Sequence, residues 1–459
     1  MSKSLDLHKL QTLLGASQVV ASENNNKYSW QSDYLQPVKD SIPIVYVKSL
    51  EELAEVLRLA TLEKLAVIPV GGGTKLKIGN PPKRADFFLS LAEMNQVLEH
   101  EAADLTTTVQ AGCNFAHFQN TLGKSGQYLP LNPPFAELAT VGGVISTSSY
   151  GPMRLSGGTI RDWLIGIKVV TADGQISKAG GKVVKNVAGY DLMKLYTGSF
   201  GTLCIIAEAS FKLRPRPFEE SLILGVFTSS EIDFAARVLL DSQLQPSALE
   251  LLNFSAAKIC FPKLELKPKE WVLAAQFSGS NQAVKHQVGI TQEFWSKAEN
   301  IISIHSSDNQ YLGWQKVIDF AANYPTLGPF RASSLPSKCI ELVNEIENNL
   351  SKVVNDFALL THVGNGVVRG FISSDELLPN SEQLFKLDSE KHLKLLSTMK
   401  NLRGFCENSG GSLVLEDDTF YNTLDSWGTP PGSISLMKTI KQKLDPLELL
   451  NPGRFVGGI

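Results

Sequence analysis

Val70 is followed by Gly71, Gly72, Gly73, Thr74 and Lys75, three consecutive glycines beside a hydroxyl and an ammonium group. Glycines leave main-chain N–H groups uncovered and lysine adds positive charge, a combination suited to an anion and most often to a phosphate. A second segment, "LNPPFAELATVGGVISTSSYGPMRLSGGTIRDW", brings Thr140, Gly142, Gly143, Ser146, Thr147, Gly157, Gly158 and Thr159 close together. Small hydroxyl residues and glycines let a backbone approach a pyrophosphate and donate to it. Two such segments imply a long ligand with a diphosphate in its middle; the plainer alternative is turn chemistry in an ordinary sheet. A dinucleotide fingerprint GxGxxG starting at Gly71 would need glycine where Leu76 stands, and GxxxxGK[ST] fails in every register here. Neither a Rossmann site nor a P-loop NTPase is supported.

The elements around the first loop place it. Ile44 to Val47 reads as a strand, and Ser49 with Glu52 reads as a capping box opening a helix with Leu53, Val56, Leu57 and Ala60 on one face. Ala66 to Val70 is a second buried strand, which completes a βαβ unit and puts the glycines at a strand's C-terminal end, where α/β folds bind ligands. A proline pair and a further strand, Phe87 to Leu91, follow in place of a helix, so loop N–H groups rather than a helix dipole would hold the anion. Asp173-Gly174 marks a hairpin turn, and "TLCIIAEASFKL" is one long strand or a strand pair. The proline-rich stretch from Leu213 to Ser221 reads as a domain exit, and residues 221 to 430 alternate strands and helices. A C-terminal helix stops at Pro446, before a turn at Asn451-Pro452-Gly453.

The 459 residues carry a formal net charge of −3 with no long block of either sign, which gives nucleic-acid binding no electrostatic support. "MSKSLDLHKLQTLLG" lacks the apolar core of a secretory signal and reads as a short amphipathic helix. No apolar run approaches the roughly 18 to 20 residues that span a bilayer. The five cysteines, Cys113, Cys204, Cys260, Cys339 and Cys406, are far apart, which excludes a disulfide scaffold and an iron–sulfur cluster of the usual spacing. A cytoplasmic location is expected, at most peripheral at the inner face of a membrane through partners.

"VGGGTKLKIGNPP", "ATVGGVISTSSYGP", "GGTIRDWLIGIKVVTADG", "GGKVVKNVAGYDLMKLYTGSFGTLCIIAEASFKLRPRP" and "LDPLELLNPGRF" occur in this order. Together they resemble the vanillyl-alcohol oxidase (PCMH-type) FAD-binding domain followed by an FAD-linked oxidase C-terminal cap. Within that superfamily the chain most resembles the E subunits of glycolate oxidase, also called glycolate dehydrogenase. The resemblance implies an α+β protein: an N-terminal helical extension (1–37), a two-subdomain FAD-binding domain (38–218), an α+β cap for substrate or partner (219–430) and a C-terminal segment returning to the flavin (431–459). It places the FAD diphosphate at Val70, Gly71, Gly72, Gly73, Thr74 and Lys75. Thr140, Gly142, Gly143, Ser146 and Thr147 line the cofactor from the other subdomain, and Gly158, Thr159 and Arg161 follow the diphosphate and ribose. Gly201, Thr202 and Ile206 meet the adenine side; Asn451 and Gly453 come back to the flavin ring. Members with covalent flavin usually carry a histidine in the first loop, where Thr74 and Lys75 stand, so FAD is expected to be non-covalent.

By the same resemblance the chain oxidises a 2-hydroxy acid such as glycolate or D-lactate. Related dehydrogenases often bind a divalent metal through HxGxGxxH in the cap; here "HVGNGVVR" keeps His362 but has Arg369 at the second histidine, and no metal is expected. Oxidation needs a cation for the carboxylate, a base for the hydroxyl and a flavin for the hydride. Arg331, Arg369 and Arg454 are the candidate cations, since arginine pairs with carboxylates in bidentate fashion. His362 is the candidate base. Lys185, Tyr190 and Asp191 are as suited to fixing the fold around FAD as to chemistry. The resemblance implies a paralogous flavin subunit and an iron–sulfur subunit as partners. The alternative reading is a non-catalytic flavin-carrying assembly or electron-relay subunit beside a catalytic paralogue.

Overall fold

The computed structural model describes residues 7–20, 42–181, 189–305, 308, 311–374, 390–420 and 423–459. Lys185 lies outside the described residues. The chain divides into two compact units, Met1–Tyr150 with Thr159–Arg216 and Thr429–Ile459, and Gly151–Gly158 with Pro217–Gly428.

In the first unit, β1 (Val19–Val20), β2 (Ile44–Tyr46), β3 (Val67–Val70) and β4 (Phe87–Ser90) form a sheet in the order β1-β2-β4-β3, with β2, β4 and β3 parallel. The helix Leu50–Glu63 crosses between β2 and β3 and buries Leu53, Ala54, Val56, Leu57 and Ala60. The Ser49 hydroxyl caps it by accepting from the Glu52 amide at 3.1 Å. The reciprocal half of the expected box is not made. The Glu52 carboxylate instead accepts from the Lys48 amide and from Gln18 Nε2, because Gln18, which also donates to the Tyr46 carbonyl, comes in beside β2. The amphipathic start is the helix Leu7–Leu14, with Leu10 buried in this unit's core.

The second sheet of this unit uses β5 (Val97–Glu101), β6 (Thr106–Gln110), β8 (Leu164–Val170), β9 (Ile176–Gly180) and β10 (Ile205–Lys212) in the antiparallel order β5-β6-β10-β8-β9. β7 (Gln127–Tyr128) pairs with β11 (Arg214–Pro215). The "TLCII" segment thus continues into one long strand, and the β8–β9 hairpin turns through Gly174 at φ 76°. One difference from the sequence reading lies at the second glycine segment. Val141–Thr147 is a helix despite Gly142 and Gly143, because the Thr140 hydroxyl caps it and a side chain at Gly142 would press on Ala111.

The second unit is built on one antiparallel sheet of eight strands: β12 (Glu219–Phe227), β13 (Ala248–Leu252), β14 (Trp271–Gly279), β15 (Asn300–His305), β16 (Thr326–Ser333), β17 (Phe357–His362), β18 (Val367–Ser373) and β19 (Ser412–Leu415). Their order is β15-β12-β14-β13-β17-β18-β16-β19. Alternation along each strand separates two faces. Ile223, Leu251, Leu273, Phe330, Leu359 and Val368 share one core with the helices Ile232–Leu240, Asn281–Phe294, Cys339–Leu350 and Glu390–Asn408. On the other face Leu222, Leu224, Leu252, Val272 and Leu360 pack with the helices Phe254–Cys260 and Leu312–Ile318. Farther across, that same face turns polar at Glu250, His362, Arg369 and Arg331.

Glu347, on the helix Cys339–Leu350, makes this unit pH-sensitive. Burial pushes its carboxyl up to about 7, and Oε2 has no hydrogen-bond partner among the described residues. A glutamate in an unfolded chain titrates near ~4.3, so the native state binds this proton more tightly. Its contribution to stability is therefore full below about pH 4.3 and is lost as pH rises through about 7. At 1.36 kcal/mol per unit the loss reaches at most about 3.7 kcal/mol. Glu347→Gln should unfold at a higher urea midpoint than the native chain near pH 8 and at a similar one near pH 4. Equal differences at the two pH values would remove this assignment.

Candidate functional site

The first unit holds a cleft enclosing about 830 Å³, including its open mouth, lined by Val70 to Leu76, by Thr140, Gly142, Gly143, Ser146 and Thr147, and by Gly201, Ile206, Asn451 and Arg454. The two glycine segments meet directly here. A Cβ at Gly71 would stand 2.0 Å from Thr140 Oγ1, and one at Gly72 would stand 1.7 Å from the Leu138 carbonyl oxygen. Gly73 has φ 76°, a left-handed conformation that favours glycine. The amides of Gly71, Gly72, Gly73 and Thr74 donate to no protein acceptor among the described residues. Asn451 is buried with φ 47°; its Nδ2 donates to the Phe200 carbonyl, and its Oδ1 has no partner among the described residues.

The C-terminal segment is held onto this loop by main-chain acceptors. The Arg454 guanidinium donates from Nη2 to the carbonyls of Lys75 and Leu76, and its own carbonyl accepts from the Asn80 amide. Lys441 Nζ donates to the Thr202 and Leu450 carbonyls and pairs with Asp445 at 2.6 Å. Five expected cofactor residues do not line the cleft. Gly158 belongs to the second unit, Thr159 caps the helix Ile160–Trp163, Arg161 is exposed, Thr202 serves Lys441 and Gly453 forms the turn after Asn451. Tyr190 is exposed, and Asp191 caps the helix Leu192–Tyr196.

On the polar face of the second unit, strand register aligns residues distant in the chain. Glu250 on β13 stands opposite His362 on β17, and Nδ1 of His362 lies 2.6 Å from Glu250 Oε1. Leu360, two residues before His362 on the same face, is opposite Arg369 on β18, which is opposite Arg331 on β16. Arg369 Nη2 lies 2.7 Å from Glu416 Oε2, and Arg331 Nε lies 3.9 Å from Glu416 Oε1. The hairpin joining His362 to Arg369 turns at Gly366, φ 67°, where a side chain would strike the Ser334 carbonyl. Burial pushes the Glu250 carboxyl up, while the neighbouring His362 and Arg369 charges pull it down. Chemically, the face offers a carboxylate-paired imidazole beside two guanidinium groups that share one carboxylate.

Residues 42–180 match the FAD binding domain family and residues 230–455 the C-terminal domain of FAD linked oxidases. The D-lactate dehydrogenase of Archaeoglobus fulgidus is 32% identical over 91% of this chain and 92% of its own length. This chain belongs to the FAD-linked oxidase family. Glycolate oxidase subunit GlcD of Bacillus subtilis is 27% identical to this oxidase over 91% of the chain and 90% of its own length. Glycolate oxidase subunit GlcE of Escherichia coli is 28% identical over 54% of the chain and 67% of its own length. The solved structure of p-cresol methylhydroxylase superimposes with a TM-score of 0.73 at 17% identity, covering 98% of this chain and 95% of that one, which fixes the PCMH-type fold.

FAD is the cofactor of this family, and the cleft suits it. Uncovered loop amides, a cradle that a Cβ would fill and an orphaned Asn451 oxygen fit an anionic dinucleotide with polar edges. Among the described residues no histidine lines the cleft; Cys204 does, and burial pushes its thiol up, away from the reactive thiolate. Among the described residues, no helix is long and apolar enough to cross a membrane, and no three His, Cys, Asp or Glu side chains are grouped to hold a metal ion. Sequence reading missed Glu250 and Glu416. Glu250 left a signal, a lone carboxylate inside the apolar run "ALELL", whereas Glu416 left none.

Proposed function

We propose that this FAD-linked oxidase converts a small 2-hydroxy acid, such as glycolate or D-lactate, to the 2-oxo acid, as a flavin subunit of a glycolate oxidase-type complex with a paralogous flavin subunit and an iron–sulfur subunit. One observation carries the reading: Arg331 and Arg369 flank Glu416 on the strand face that also presents His362. Two guanidinium groups on one strand face suit a substrate carboxylate, which each could meet through paired N–H donors. Arg454, committed to the Lys75 and Leu76 carbonyls, is assigned to holding the glycine loop in place of binding substrate. Val70 to Lys75, Thr140 to Thr147 and Asn451 are the residues we assign to non-covalent FAD. His362, with Nδ1 engaged by Glu250, takes the hydroxyl proton at Nε2. FAD, when bound, would supply the acceptor for the hydride from the carbon bearing that hydroxyl. The names of the relatives, glycolate oxidase subunits and a D-lactate dehydrogenase, support the substrate class.

A second reading, an electron-relay subunit, is favoured by the contact of both arginines with Glu416. The visible flavin spectrum under anaerobic addition of glycolate or D-lactate separates the two. Bleaching of the isolated chain supports catalysis here. A flavin that stays oxidised until the paralogous subunit is added supports the relay, and absence of flavin after reconstitution with FAD removes both.

A further inference from the structure

Glu250 has no counterpart among the residues singled out by their sequence motifs, yet it is the deepest charged group on the polar face, with 1% of its side chain exposed beside 7% for His362. Its neighbours along β13 and across on β14 are apolar, Ala248, Leu252 and Ala274, and only the β17 side is polar, at His362. A carboxylate serving only to complete the core would be expected to satisfy both oxygens. Here Oε1 lies 2.6 Å from His362 Nδ1, and Oε2 has no partner among the described residues. The one hydrogen bond formed is therefore directed at a ring nitrogen, across a fixed strand register.

We propose that Glu250 is a positioning residue that holds His362 in the tautomer protonated at Nδ1, leaving Nε2 unprotonated as the base for the substrate hydroxyl. This rests on the hydroxy-acid reading above. In the step it supports, the substrate O–H bond breaks and its proton goes to Nε2. The imidazolium formed keeps its Nδ1–H on the Glu250 carboxylate; FAD, when bound, would supply the acceptor for the hydride from the carbon that bears this oxygen. Glu250 contributes twice, first by fixing which nitrogen carries the proton and then by stabilising the positive ring.

Nitrogen NMR of the full-length, FAD-loaded chain with labelled histidine reads the tautomer directly. The His362 signals are those missing from His362→Asn among the seven histidines. The native protein should show Nδ1 protonated and Nε2 unprotonated. Glu250→Gln should move the proton partly to Nε2 and lower the anaerobic rate of flavin reduction by about 10- to 100-fold, with KM changed less than about threefold. A native ring protonated at Nε2 overturns the proposal, even should Glu250→Gln fail to fold. So does a folded Glu250→Gln that reduces its flavin at the native rate. If no 2-hydroxy acid bleaches the native flavin, the substrate reading fails on its own, and the tautomer measurement still judges the Glu250–His362 pairing.

Discussion

Gly72→Ala is expected to purify without flavin. A methyl group at this position would stand 1.7 Å from the Leu138 carbonyl oxygen and 2.7 Å from its carbon, both main-chain atoms with no rotamer to escape into. The loop must shift bodily, and the uncovered amides of Gly71 to Thr74 shift with it. Titration of apoprotein with FAD should show affinity weakened by at least about 100-fold, near 2.8 kcal/mol at 1.4 kcal/mol per decade. Gly71→Ala is the graded comparison, because its methyl meets the Thr140 hydroxyl, a side chain able to turn away at the cost of its helix cap. Gly289→Ala, in the helix Asn281–Phe294 with nothing within 4 Å of the added carbon, should leave FAD binding unchanged and stabilise by up to about 1 kcal/mol. Native FAD affinity in Gly72→Ala would show that this loop does not hold the cofactor.

Arg369→Met should cut kcat/KM for a 2-hydroxy acid by about 10³-fold. The side chain lies 2.7 Å from Glu416 with only 14% and 11% of the two side chains exposed. Truncating one partner of a buried, hydrogen-bonded charge pair costs about 2 to 5 kcal/mol, partly because the other charge is left behind. Substrate would then meet one guanidinium group, that of Arg331, in place of two. Substrate binding and thermal stability should fall together. Arg369→Met combined with Glu416→Leu separates them, since an apolar pair of similar volume restores stability while turnover stays low. Native turnover in that double variant would reduce the cluster to a structural ion pair. Arg369→Lys should recover part of the rate, because charge is retained and the planar fork is lost.

How much of this was legible in the sequence depends on the range of each interaction. The β2–helix–β3 unit could be read because its signals are local: Ser49 caps Glu52, and Leu53, Val56, Leu57 and Ala60 fall on one helical face. The role of Glu52 was not legible, since Gln18 lies 34 positions away. The helix at Val141–Thr147 was hidden by two glycines of low helical propensity, and it forms because Thr140 caps it and the packing on Ala111 rewards a missing side chain. The glycine loops themselves were readable as an anion cradle, because the residue types that permit close backbone approach are few. The polar face was half legible. The hairpin "HVGNGVVR" pointed to His362 and Arg369, but their carboxylate partners arrive from 112 and 47 positions away by strand register. No local pattern records a register.

The bond from Arg454 to Lys75 spans 379 positions, and Asn451 pairs through its amide with the carbonyl of Val67. On a ribosome this has a consequence of timing. The glycine loop emerges hundreds of residues before the clamp that shapes it. A nascent chain paused anywhere in the second unit therefore carries the glycine loop without its clamp, and the cleft takes its final shape only after the second unit has been made.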